Sequence, residues 1–183
     1  MEDVYLRALE PSDLDRTWKW HNDQELYATL VRPFRYASRA AEEEWIRCKA
    51  AYSQTEIQLA IGLKQGDQHI GNTSLTDIDW VARHAGVGIF LGDAKYQSKD
   101  YGQQAMRRRR RHAFRDLGLH RVYLVVLDGN AHAIRLYEKC GFVVEGRLRR
   151  HAYKRGQFRD LIFMGICADD PGGTGGRRGG RRL

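Results

Sequence analysis

The segment over residues 121–142 constrains the fold more than any other part of the chain. RVYLVVL (Arg121–Leu127) is an apolar run of strand length, rich in β-branched residues, and reads as a buried strand. NAHAIRLYEKCGF follows within three residues. Asn130 caps it, apolar residues recur at helical spacing, and Gly141 and Phe142 end the helix and open another strand.

The flanking sequence extends this into a mixed α/β order. HAGVGIFL (His84–Leu91) reads as a strand that runs through a loop into a helix beginning near Asp100. Upstream, VYLRAL alternates like a strand. The EPSDLDRTWKWHND that follows carries Pro11, Ser12 and Asp13 as helix-start signals, and ELYATLVRPFRY reads as a loop. Ser38 and the acids after it open a second helix, over 38–52. Strands are expected over 56–63 and Gln68–Asp79, joined by the turn KQGDQ, and two closing strands around Gly156.

At 183 residues this is one domain, expected over 1–168. The formal net charge of +8 raises the question of a nucleic-acid partner. RRRRR at 107–111 supplies five of those charges and Arg177, Arg178, Arg181 and Arg182 supply four, so the remainder sums to −1. Basicity confined to two spots is a poor nucleic-acid face, and nucleic acid is not the expected partner. The Gly/Arg-rich stretch 169–183 has almost nothing apolar to offset its ordering entropy and is expected to be disordered. No apolar run reaches the roughly 20 residues of a membrane span, and the acidic start is unlike a signal peptide, so the expected location is the cytoplasm. Cys48, Cys140 and Cys167 are odd in number and far apart, which predicts reduced thiols and no metal site.

QSKDYGQQA, a strand ending in LDGN, NAHAIRLYEKCGF and the closing EGRLRRHAYKRGQFRDLIFMGI together resemble the GNAT superfamily of acetyl-CoA-dependent N-acetyltransferases. Within it the chain is most similar to the ribosomal-protein N-terminal, polyamine and amino-sugar acetyltransferases. The resemblance implies a mostly antiparallel seven-stranded sheet, α+β in class, with one splayed parallel pair and about four flanking helices. Acetyl-CoA is the implied co-substrate, with no metal, and the acceptor is a small-molecule or peptide amine. A homodimer is possible in this branch.

The resemblance also implies roles. Gln97, Ser98, Lys99, Asp100, Tyr101, Gly102 and Gln103 occupy the loop and first helical turn that bind the pyrophosphate, where unpaired N–H groups and the helix dipole favour an anion. Asp100 departs from the usual Gly there, although Asp tolerates unusual backbone angles. The five arginines fall where relatives carry apolar residues. Five consecutive helical positions cover every face, so at least one must point at the sheet.

Backbone groups of Ile89, Phe90 and Leu91 are the implied partners of the pantetheine arm, which pairs like an added strand, with Gly88 allowing close approach. Asn130 and Ala133 sit at the mouth of the splay. Tyr137 is the implied acid for the departing thiolate. A backbone N–H of the same strand holds the carbonyl oxygen. Where relatives carry a Glu as base this chain has Gly86, leaving His84, then Asp79, as titratable substitutes. Trp18, His21, Asn22, Asp23 and Glu25 are the candidates for the acceptor, through ring stacking and ammonium pairing. The alternatives are a catalytically weak acyl-CoA-binding protein of this fold and a basic RNA- or ribosome-associated module.

Overall fold

The computed structural model describes residues 3–97 and 99–170. Its seven strands are β1 (Val4–Arg7), β2 (Ile57–Leu63), β3 (Gln68–Asp79), β4 (His84–Leu91), β5 (Arg121–Leu127), β6 (Val143–Lys154) and β7 (Gln157–Cys167). They form one sheet in the order β1-β2-β3-β4-β5-β7-β6, antiparallel at every junction except β4–β5. Five helices flank it: α1 (Leu14–His21), α2 (Gln24–Thr29), α3 (Arg39–Ala50), α4 (Tyr101–Arg111) and α5 (Ala131–Lys139). Parallel strands need a crossover. α4, continued by a π-helical turn at His112–Asp116, provides it between β4 and β5.

That parallel pair is short. His84, Ala85 and Gly86 register with Arg121, Val122 and Tyr123, and there the ladder stops. β4 nevertheless stays paired to β3 as far as Leu91, and β5 to β7 as far as Leu127. Beyond Gly86 and Tyr123 the two facing edges therefore part, leaving backbone donors and acceptors that need another partner. The main core lies between the sheet and the α4–α5 layer, with Met106, Phe114, Leu124, Phe142 and Met164 at its centre. A second cluster of Val4, Ile61, Ile70, Tyr96 and Ala105 ties β1–β3 to the start of α4.

Two expectations are corrected. Residues 25–29, expected in a loop, fall in α2, so the sheet carries five helices among the described residues where about four were expected. Asp23 starts it by accepting from the N–H groups of Glu25 and Leu26, 2.9 and 3.0 Å away. Six residues are too few for helical periodicity to register, and this cap was the readable signal. The helical spacing of Trp18 from Leu14 predicts a core position for it, but the core tryptophan of α1 is Trp20, 1% exposed, whereas Trp18 is 37% exposed.

The arginine run behaves as its spacing requires. Arg109 is 0% exposed, with Arg107 and Arg111 facing solvent. Its Nη2 donates to the Ile57 carbonyl, Nε and Nη1 have no hydrogen-bond partner among the described residues, and burial pulls its pKa down. Arg110 reaches the Cys140 carbonyl at the end of α5. Of the stretch 169–183 expected to be disordered, Asp169 and Asp170 are described and close a turn, Asp170 Oδ2 accepting from the Cys167 N–H, while 171–183 lie outside the described residues. No helix among the described residues is long and apolar enough to cross a membrane.

Candidate active site

Where β4 and β5 part, a cavity of about 590 Å³ opens. One wall is the freed edge of β4, including Ile89, Phe90 and Leu91. Asn130, Ala133 and Tyr137 reach it from α5, while Gln97, Asp100, Gly102 and Gln103 reach it from the loop and first turn of α4. These residues were expected at a coenzyme A site, and the fold brings them to one cavity. Lys99 and Tyr101 do not line it, Tyr101 packing instead near Tyr96. Ser98 lies outside the described residues.

The loop keeps its shape despite its aspartate. Asp100 adopts φ 57° and ψ 1°, the left-handed conformation in which Gly is at ease, and its side chain caps nothing. A Cβ on Gly102 would come within 2.9 Å of Leu136 Cδ1, so this glycine lets α4 approach α5 closely.

Asn130 caps α5 as expected, Oδ1 accepting from the Ala133 N–H at 3.1 Å. Its Nδ2 donates to the Thr29 carbonyl at 3.2 Å, so both ends of the amide are engaged in tying α2 to α5. Tyr137, 8% exposed, packs edge-on against Phe142. Burial, with the neighbouring Cys140 thiol adding, pushes its pKa up to about 12. It therefore holds its proton at neutral pH, the state a general acid needs.

The fold does not bring His84 to this cavity. It sits at the closed end of the parallel pair, opposite Arg121 and against the Tyr123 ring, two residues before the strands part. Asp79 is engaged in a turn, accepting from the N–H groups of Val81 and Ala82. Of the five acceptor candidates, His21 alone lines the cavity. Trp18 and Asn22 hold Ala37: the indole donates to its carbonyl at 2.9 Å, and the Asn22 amide both donates to that carbonyl and accepts from its N–H. Asp23 caps α2, and Glu25 pairs with Arg155 at the β6–β7 turn. These four position the segment around the cavity rather than facing into it.

Sequence reasoning missed the opposite wall. Tyr27 and Trp45 flank His21, and Gln58, Asn72 and Ser74 supply polar side chains from β2 and β3. The signal was present in β3, where Asn72, Ser74 and Thr76 alternate as polar residues on a face that also carries buried ones. Asn72 is 2% exposed and is held by His69, whose Nε2 lies 2.8 Å from its Oδ1 and 2.9 Å from the Gly71 carbonyl. Both neighbours are acceptors, so Nε2 carries the proton. On the far side, His69 Nδ1 lies 3.0 Å from Asp13 Oδ1. Burial opposes charge on Asp13. Hydrogen bonds from the Arg7 guanidinium and the Glu10 N–H overcome that and hold its carboxyl well below the usual range.

Above this network lies Trp20, edge-on to His69 at 4.8 Å and to Phe90 at 6.0 Å. It covers Gly92 so closely that a Cβ there would fall 1.9 Å from the indole.

Comparison with known proteins places this geometry. A family model described as an acetyltransferase (GNAT) domain matches residues 3–143. Spermidine N(1)-acetyltransferase of Vibrio cholerae is 29% identical over 162 residues, which span 88% of this chain and 91% of that protein. The putative ribosomal N-acetyltransferase YdaF of Bacillus subtilis is 28% identical, covering 90% of this chain and 91% of its own. The crystal structure of the Vibrio cholerae spermidine N-acetyltransferase in complex with CoA and spermine superposes with a TM-score of 0.84 at 28% identity, covering 91% and 96% of the two chains.

Proposed function

The chain belongs to the GNAT acetyltransferase family, an acetyl-CoA-dependent N-acetyltransferase acting on an amine, and on that premise we propose which residues do the work and which amine accepts. The observation that carries the reading is the parting of β4 and β5 in the same cavity that Tyr137 enters. The unpaired edge of β4 at Ile89, Phe90 and Leu91 suits an amide-bearing pantetheine arm. The left-handed turn at Asp100 and the N-terminus of α4 suit the pyrophosphate. Acetyl-CoA supplies an activated acyl group. The acceptor nitrogen attacks it directly, the C–N bond forming as the C–S bond breaks, and the Tyr137 hydroxyl protonates the leaving thiolate.

For the acceptor, the relatives acting on spermidine support an aliphatic polyamine. A protein N-terminus is the second reading, favoured by the YdaF relative and by Arg32 and Arg135 lining the cavity, which suit an acidic or carbonyl-rich peptide. A homo-oligomer fits the exposed Val143 and Val144 on the edge strand β6 and Phe158 on the adjoining hairpin. A Vibrio cholerae neighbour is dodecameric.

Thiol release from acetyl-CoA, measured with spermidine, spermine and Ser- or Ala-started peptides, tests the reading. Turnover with a polyamine and not with peptides is expected. Coenzyme A binding with no thiol release from any amine would leave a binding protein of this fold, and salt-sensitive RNA binding without a response to acetyl-CoA would leave the RNA-associated reading.

A further inference from the structure

An amine acceptor arrives protonated at neutral pH and must lose a proton before it can attack. Neither His84 nor Asp79 reaches the cavity, and Gly86 has no side chain. The cavity wall does hold one imidazole backed by a buried carboxylate. His21, the last residue of α1, lines the cavity with its side chain 14% exposed, and its Nδ1 lies 2.5 Å from Oε2 of Glu42. Glu42, in the first turns of α3, is 1% exposed and does not line the cavity. Its position is therefore behind the ring, not in the path of a ligand.

We propose that His21 is the general base of this enzyme, with Glu42 as its positioning residue, a role that rests on the amine-acetylation reading above. A carboxylate acceptor on Nδ1 fixes the tautomer: the proton sits on Nδ1 and the lone pair is on Nε2. Among the described residues no side chain hydrogen-bonds Nε2. Trp45, edge-on at 4.7 Å, and Tyr27 at 6.1 Å hold the ring plane, so the free lone pair has a defined direction. The same carboxylate stabilises the imidazolium that proton abstraction creates, as a buried acid does behind a catalytic histidine. Trp20, the preceding residue, fixes the end of α1 against Phe90 of the β4 wall.

The proton count closes. His21 Nε2 takes one proton from the acceptor ammonium and later passes it to water. The neutral nitrogen bonds to the acetyl carbon and the C–S bond breaks. Tyr137 gives its proton to sulfur, and the second proton lost by nitrogen restores the Tyr137 hydroxyl. The products are amide and free thiol, with one proton released.

The titratable and charged groups that face His21 are Glu42 from α3 and Tyr27 from α2, with Arg32 close enough to act on Tyr27. The test uses the full chain with the amine that gives turnover. His21→Ala should lower kcat about 10²-fold with coenzyme A affinity unchanged, remove the acidic limb of the pH–rate profile, and recover activity when imidazole is added. Glu42→Gln should lower kcat less, because it removes the orienting charge and keeps the shape. An unchanged kcat in His21→Ala, or a loss that neither imidazole nor higher pH restores, overturns the proposal.

A second measurement does not need turnover. In long-range ¹⁵N–¹H spectra of the wild type at pH above the His21 transition, the resonance missing from His21→Gln should show a bare Nε2 and a protonated Nδ1. The opposite tautomer overturns the assignment even in a protein that acetylates nothing. Absent thiol release with the expected tautomer sinks the amine-acetylation reading, and the base role with it.

Discussion

Helices α4 and α5 stand side by side over the parted strands, and they solve the same problem in opposite ways. α5 packs apolar residues on one face and buries one polar group there, the Tyr137 hydroxyl, beside the cavity that His132, Arg135 and Lys139 also line. α4 contributes backbone and small residues in its first turn and then five consecutive arginines, of which Arg109 is forced into the core. A buried phenol keeps its proton and stays neutral; a buried guanidinium stays charged and gains one carbonyl in exchange for its water. The polar burial on α5 suits chemistry, and that on α4 costs stability.

The largest expected effect that would break this contrast is at Tyr137. Tyr137→Phe keeps the packing on Phe142 and removes only the hydroxyl, so kcat should fall about 10²-fold with little change in coenzyme A affinity. An unchanged kcat, with chemistry rate-limiting, would leave the buried phenol of α5 a packing residue only. The same variant sharpens the comparison at alkaline pH. A folded pKa of about 12 lies above the unfolded value near 10, so the buried phenol contributes stability below pH 10 that is lost as pH rises towards 12. Two pKa units correspond to about 2–3 kcal/mol. Denaturation midpoints of the wild type should fall faster than those of Tyr137→Phe above pH 10.

Next in size is Arg109→Met, which replaces a buried charge by an apolar chain of similar reach. Stability against urea should rise by about 1–3 kcal/mol, since the Ile57 carbonyl is the one hydrogen-bond partner Arg109 has among the described residues. A loss of stability would show that this contact outweighs desolvation. Smallest is Asp100→Gly. Gly relieves the left-handed backbone at the cost of a looser unfolded chain, so stability should change by less than about 1 kcal/mol. Coenzyme A should bind equally well or more tightly once a carboxylate leaves the phosphate loop. Weaker binding by isothermal titration would remove that loop from the pyrophosphate.

What the sequence made legible follows from how far apart the contributing residues lie. β3, β4 and β5 were readable to the residue, because period and punctuation sit within each strand and its turns. The cavity wall made by β4, the following loop and the start of α4 was readable for the same reason: the segments that build it are consecutive. The opposite wall was not. Trp45, Gln58 and Asn72 come from α3, β2 and β3 and share the cavity with His21 only through tertiary packing, while of the residues close to it in sequence Trp18, Asn22 and Asp23 turn to hold neighbouring backbone and Glu25 pairs with Arg155. Glu42 carried no mark of its contact with His21, being one of three consecutive glutamates at the start of a helix.

The indole of Trp20 resting on Gly92 has a consequence for how this molecule can vary. Any side chain at position 92 meets the ring, and any smaller residue at position 20 leaves a hollow over the strand end. Neither position can drift alone. Among functional variants the two should change as a pair, and a library randomised at one site should be rescued only by mutations at the other, because His21 rides on the same helix and moves with whatever replaces that indole.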